Sequence, residues 1–300
     1  MITRMVTFIK SALLLIRPHQ WIKNLLIFVP PFFGGVFLAD SGVFLKMAQA
    51  FLAFSLVSSA GYIVNDILDM GSDRLHPQKK FRPLASGAIG IYQASLLLVV
   101  ILTLSLILSL RFAYGFLFVC ILYLALSVAY SLFLQHIVIL DAFSIALGFV
   151  FRIEAGGIAS ETRVSSWLVL TTFLLSLLLA FGKRRFELSA FSMSTPFRKV
   201  LAKYKMNFLD TVLGIFATTA IVTYSMYVVE RGSKGFLITV PFACYGVLRY
   251  VYIVQTNSGG DPTEALFKDR NLLICVVLWI VITALIIYLQ DILGLFNKWF

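Results

Sequence analysis

Residues 46–77 read KMAQAFLAFSLVSSAGYIVNDILDMGSDRLHP, a long apolar run through Val64 followed by Asp66, Asp69 and Asp73 within eight positions. A segment that can cross the hydrocarbon core needs roughly 20 mainly apolar residues, so this run reads as a membrane span ending in acids at the bilayer edge. The acids recur at i, i+3 and i+7, while Asn65, Asp69 and Asp73 recur at i, i+4 and i+8. A helix that continues past the membrane surface lines these side chains along one face. Carboxylates so close repel one another unless a cation lies between them. An all-oxygen donor set suits Mg²⁺, with Mn²⁺ as the alternative, because Mg²⁺ takes one or two carboxylates together with substrate phosphates and waters. The competing reading is a solvated acidic helix end balanced by Arg74, Lys79 and Lys80. Ionisable groups at that depth are expensive and point to function.

The rest of the chain agrees with a membrane setting. Hydrophobic residues make up 60% of the 300 and charged residues only 13%, and the mean hydropathy is +0.94. A soluble fold needs far more polar surface than that. Spans are expected at 22–39, 46–65, 93–111, 114–134, 138–156, 165–182, 208–229, 235–254 and 271–290. The fold class is therefore an all-α polytopic membrane protein of about nine transmembrane helices. It is read as one domain over 1–300, with 1–16 as an interfacial helix and longer loops at 66–92, 183–207 and 255–270. The run Ala12–Ile16 is too short for a signal peptide and stops at Arg17-Pro18. The net charge of +11 does not imply nucleic acid, because in a membrane protein the placement of basic residues matters more than their sum. With a cytoplasmic N-terminus, 18 of the 25 basic residues fall on that side and six on the other, leaving Arg152 within a span. The positive-inside rule thus expects the N-terminus in, the C-terminus out and all three long loops in the cytoplasm. Cys120, Cys244 and Cys275 lie in apolar runs without ligand or pairing spacing and read as small buried hydrophobes.

Other charged residues extend the candidate site. Lys79, Lys80 and Arg82-Pro83-Leu84-Ala85-Ser86-Gly87 follow the aspartates directly, and cations beside a carboxylate–metal group are what a diphosphate requires. His76 with Pro77 reads first as a turn former and second as a ligand. The second long loop begins Gly182-Lys183-Arg184-Arg185-Phe186-Glu187-Leu188, where Lys183 and Glu187 share a helical face and pair with each other in the plainest reading. Arg198, Lys199, Lys203 and Lys205 follow, suited equally to anionic headgroups. Arg152 and Asp141 both fall inside the expected fifth span; a buried arginine there must meet Glu154, an acid on another helix or an anionic substrate. Trp21 reads as an interfacial belt residue, and Lys23, which starts the first span, as a substrate contact.

The pattern Asn65-Asp66-x-x-Asp69-x-x-x-Asp73-Arg74-x-His76-Pro77 with Arg82-Pro83-Leu84-Ala85-Ser86-Gly87 resembles the first aspartate-rich motif of the UbiA-type intramembrane transferase superfamily. The span count and loop positions extend the resemblance over nearly the whole chain. It implies a helical bundle with a cytoplasm-facing cavity in the inner (plasma) membrane. Prenyltransferases of that superfamily carry a second aspartate-rich motif after the sixth span, where this sequence has Lys183-Arg184-Arg185-Phe186-Glu187-Leu188. In this, in Arg17-Pro18-x-Gln20-Trp21-x-Lys23-Asn24 and in Pro262-Thr263-Glu264 to Asp269-Arg270, it resembles the decaprenyl-phosphate phosphoribosyltransferase branch. That resemblance implies 5-phosphoribosyl 1-diphosphate as donor, a polyprenyl phosphate as acceptor and a place in cell-envelope glycan synthesis. Asn65, Asp66, Asp69 and Asp73 would hold Mg²⁺, and Lys23, Arg74, Lys79, Arg82, Arg152, Lys183, Arg184 and Glu187 would contact substrate. The rivals are a prenyltransferase using a prenyl diphosphate at the same metal site and, more remotely, an ion-coupled transporter, whose ionisable groups belong near the bilayer midplane.

Overall fold

The computed structural model describes residues 2–37, 41–189, 200–232, 234–256 and 262–296. Among these there is no strand. The α-helices are α1 (Ile2–Ile16), α2 (Val29–Gly34), α3 (Ser41–Leu68), α4 (Met70–Leu75), α5 (Ile91–Ser109), α6 (Tyr114–Leu132), α7 (Leu140–Ser160), α8 (Ser166–Ser189), α9 (Met206–Glu230), α10 (Thr239–Gln255), α11 (Pro262–Lys268) and α12 (Arg270–Phe296). Eight helices of the described residues are long and apolar enough to cross a membrane, and they fall at eight of the nine expected positions. The chain is a multi-pass membrane protein. Its exposed residues include many large apolar ones, such as Leu96, Ile107, Phe118 and Val229, as lipid-facing positions require.

The ninth position, 22–39, is built differently. A 3-10 segment, Pro18–Phe28, leads into the short α2. Pro18 opens that segment, and Pro30 and Pro31 fall in the first turn of α2, where a missing N–H is tolerated. Irregular backbone at this depth survives only where protein satisfies and covers it. The serine face of α3 does this: Asn24 Nδ2 donates to Ser55 Oγ over 2.9 Å, and Ser59 Oγ donates to the Ile16 carbonyl over 2.8 Å. Trp21 donates its indole N–H to Ser59 Oγ over 3.0 Å. Gly156 of α7 lies directly against the Ile27 carbonyl, and any Cβ there would collide with it.

The chain divides into two compact units. Unit 1 comprises residues 1–31, 42–137 and 151–163, and unit 2 comprises 32–41, 138–150 and 164–300. In unit 1, Leu15 of α1 packs with Ala60 and Ile63 of α3 and with Leu84 and Ile89 of the following loop. In unit 2, α8, α9 and α10 pack around Leu177, Phe181, Leu209, Leu213, Tyr250 and Val254.

Candidate active site

The acid motif caps α3. Asn65 and Asp66 occupy its last turn, Asp69 the junction and Asp73 the short α4. Helical hydrogen bonding runs through the junction, with Asp69 N–H donating to the Asn65 carbonyl and Asp73 N–H to the Asp69 carbonyl. Asp66 and Asp73 are buried, each 2% exposed. One guanidinium joins them: Arg82 Nη1 lies 3.1 Å from Asp66 Oδ1 and 2.6 Å from Asp73 Oδ2. Arg17 also donates to Asp66 Oδ1, and Lys79 Nζ stands 3.7 Å from Asp73 Oδ1. Asp69 is held apart, accepting from Asn65 Nδ2 at 3.2 Å, while Asn65 Nδ2 also reaches Ser131 Oγ at 3.0 Å.

Local sequence explains this placement. Arg82–Gly87 folds into a tight turn, with Ser86 N–H on the Arg82 carbonyl and Gly87 N–H on the Leu84 carbonyl. Gly87 takes φ +77°, which glycine adopts without strain. Buried Leu84 pins the turn, so Arg82 is returned to the aspartates 16 and nine residues upstream. His76 shapes the preceding turn, its Nδ1 accepting from the Gln78 and Lys79 N–H groups at 3.2 Å each. Arg17 adopts φ 56°, an uncommon conformation for a non-glycine residue, where the helix stops before Pro18. Its guanidinium lies over the Tyr62 ring while reaching Asp66. Strained residues cluster at functional positions.

The donor set of Asn65, Asp66, Asp69 and Asp73 is all oxygen, which fits a hard divalent cation, and Asp66 and Asp73 already share one positive group. Among the described residues Asp66 and Asp73 meet on Arg82, while Asp69 accepts from Asn65. Arg74 and Lys23 are exposed, and the Arg74 guanidinium touches Met70 Sδ at 3.8 Å.

A second charged cluster lies within unit 2. Asp141, in the first turn of α7, is fully buried. Its Oδ1 accepts from the Tyr204 hydroxyl at 2.6 Å and its Oδ2 from Arg184 Nε at 2.8 Å. Arg184 Nη1 in turn donates to Glu187 Oε2 at 2.9 Å. The Tyr204 hydroxyl accepts from the Ile139 N–H at 2.7 Å, and Ile139 is held at φ 74°, a costly conformation for a β-branched residue. Burial, and then the hydrogen bond donated to Asp141, push the Tyr204 hydroxyl well above the usual phenol range, so it stays a donor. Helix α8 runs to Ser189, which keeps Lys183, Arg184 and Glu187 helical.

Two expectations change here. Glu187 pairs with Arg184 rather than Lys183. Arg184, expected on a substrate phosphate, is 2% exposed and pairs with both Asp141 and Glu187. Arg152 is likewise buried in unit 1. It donates to Asn24 Oδ1 at 2.7 Å and the Tyr123 hydroxyl at 3.0 Å, with its guanidinium near the Tyr123 and Phe54 rings. Neutral dipoles and ring faces are thus among the groups that solvate it. Arg198, Lys199 and Asp261 lie outside the described residues. Sequence reading missed the Arg17–Asp66 pair and the Tyr204–Asp141 pair; the only signals were a cation before a proline and an acid inside a span.

Comparison with known proteins gives consistent findings. The sequence model of the UbiA prenyltransferase family matches residues 28–274. A decaprenyl-phosphate phosphoribosyltransferase of Mycobacterium tuberculosis is 33% identical over 273 residues, covering 88% of this chain and 90% of that protein. One from Corynebacterium glutamicum is 31% identical over 286 residues, covering 92% and 86%. The structure of a UbiA homolog from Archaeoglobus fulgidus bound to GPP and Mg²⁺ superposes with a TM-score of 0.72 at 19% identity, covering 92% of this chain and 99% of that one.

Proposed function

This chain belongs to the UbiA prenyltransferase family, and we propose that it transfers the 5-phosphoribosyl group of 5-phosphoribosyl 1-diphosphate to a polyprenyl phosphate. It is a membrane transferase, and relatives that act on prenyl-chain phosphates match it over most of its length. The observation that carries the donor assignment is the single acid, Glu187, among cations where a second aspartate-rich motif would stand in the prenyltransferases. The metal site, with Asp66, Asp69, Asp73 and Asn65 as ligands, belongs to this proposal. So do the cytoplasmic position of the three long loops, the plasma membrane as location and a role in envelope glycan synthesis.

The chemistry needs little from the protein beyond binding and exclusion of water. The lipid phosphate is anionic near neutral pH, so one of its oxygens attacks without a strong general base. The new bond forms at the anomeric carbon as the bond to diphosphate breaks, diphosphate leaves with the bonding electrons, and the configuration inverts. Lys79 and Arg82 orient phosphate oxygens as charge develops on the leaving group, and Lys183 is assigned to the donor. Divalent metal, when bound, would neutralise the diphosphate and stabilise that departing charge. The apolar surroundings of the membrane limit hydrolysis of the donor.

Purified protein given labelled 5-phosphoribosyl 1-diphosphate and polyprenyl phosphate should yield a labelled lipid only with Mg²⁺ or Mn²⁺. A prenylated aromatic from prenyl diphosphate, with no phosphoribosyl lipid, would instead establish the prenyltransferase reading.

A further inference from the structure

The loop that follows the acid motif in unit 1 has two faces. On the inner one Lys79 and Arg82 approach Asp73, and Leu84 and Ile89 are buried with Leu15 of α1 and Ala60 and Ile63 of α3. The outer one is made by Arg74, Leu75, Lys80 and Phe81, all four exposed. Leu75 is 88% and Phe81 75% exposed, more than Leu96 of the span α5 at 67%. Lys80 Nζ lies 5.2 Å from the centre of the Phe81 ring. No acid occurs between Asp73 and Asp141, so the charge on this outer face is positive throughout.

Composition and position together name what covers this face. One exposed leucine needs no explanation, but leucine and phenylalanine interleaved with arginine and lysine make a surface suited to a lipid headgroup layer. Protein–protein contacts are instead depleted in lysine. The loop joins α3 to α5, both long and apolar enough to cross a membrane, and its buried core keeps it close to their ends. Exposed apolar side chains resume on those spans at either end of the loop: Leu68 closes α3, and Ile91 and Tyr92 open α5. Basic side chains at that level meet the phosphates of anionic lipids. We infer that the outer face of residues 74–81 docks on anionic phospholipid headgroups, with Leu75 and Phe81 inserted below the phosphates and Arg74 and Lys80 paired with them. The inference does not depend on which donor or acceptor the enzyme uses. Docked in this way, the loop holds Asp73 and Arg82, on its inner face, beside the headgroup layer.

The test places a nitroxide on Gln78, an exposed residue between the two pairs, as Gln78→Cys in full-length protein carrying Cys120→Ala, Cys244→Ala and Cys275→Ala. The labelled protein is put into nanodiscs of phosphatidylcholine alone or mixed with phosphatidylglycerol. Power saturation then gives the ratio of label collisions with oxygen, which concentrates in lipid, to those with a water-soluble nickel chelate. With phosphatidylglycerol the ratio should exceed that of free label in water about tenfold, as insertion of two large apolar side chains implies. Leu75→Asp combined with Phe81→Asp should return it to the water value; Leu75→Ser with Phe81→Ser carries this arm if the acidic pair fails to fold. Arg74→Gln or Lys80→Gln should each lower the ratio about fivefold, the partitioning one basic residue supplies at an anionic surface. Omitting phosphatidylglycerol should lower it at least as much. A ratio at the water value before any of these substitutions overturns the proposal and leaves the face to a protein partner. A raised ratio that is the same in both lipids overturns the anionic headgroup contact.

Discussion

The two charged clusters differ in how they meet water. In unit 1 Asp66 and Asp73 are buried but their arginines are not: the Arg17 side chain is 18% exposed and that of Arg82 26%. In unit 2 the Asp141–Arg184 pair is closed on both sides, at 0% and 2%. A cluster whose cations touch water can exchange them for a metal or a phosphate at modest cost, whereas a sealed pair cannot exchange without desolvating a charge. The first arrangement suits binding and release. The second suits holding a shape.

The largest effect that tests this contrast is on stability. Asp141→Ala leaves Arg184 without its buried partner and should cost about 3–5 kcal/mol in a detergent unfolding titration. Asp66→Ala, whose arginines reach water, should cost about 1 kcal/mol. Equal losses would erase the distinction. Next comes activity: Asp66→Asn and Asp69→Asn should each lower turnover about 100-fold or more with melting temperature nearly kept. Full turnover in both would remove the aspartates from the metal site. Smaller still, Lys183→Ala should raise the donor KM about fivefold with kcat held, as loss of one screened phosphate contact implies; an unmoved KM returns Lys183 to the surface.

The smallest effect concerns a third pair, bidentate and nearer water. Arg249 Nε and Nη2 lie 3.2 and 2.7 Å from Asp269, which also accepts from the Leu272 N–H at the start of α12. The Arg249 hydrogen bond holds the Asp269 carboxyl below the usual range, ahead of the opposing effect of burial. A depressed folded-state pKa means its stabilisation is present above the unfolded value of about 4 and is lost as pH falls through the lower, folded one. The protection factor of the Leu272 amide, its intrinsic exchange rate divided by the observed one, should therefore fall on acidification in wild type and lose that dependence in Asp269→Asn. Parallel profiles would detach the cap from the pair.

Much of this contrast was readable along the chain, and some was not. The i, i+7 spacing of Asp66 and Asp73 announced the first cluster, and Arg82 follows Asp73 by nine residues, so short-range pairing was open to inspection. Tyr204 stands 63 residues from Asp141 and Arg184 43 residues from it. No periodicity links such positions. Arg152 was read as meeting an acid or an anionic substrate; Asn24 and Tyr123, 128 and 29 residues away in sequence, are among its partners and could not be foreseen. The stretch 22–39 was read as one span because its apolar content matches one, whereas the segment Pro18–Phe28 is a 3-10 helix; the serine face that makes this tolerable belongs to another helix.

Local order settled the membrane setting, the positions of eight long helices and the acid-rich end of α3. These follow from apolar length against bilayer thickness and from the repeat of the helix, both properties of neighbouring residues. Which charge answers which, and whether water reaches the pair, depended on distant segments folding together. The strength of an ion pair is set by its surroundings, and those surroundings are assembled only in three dimensions.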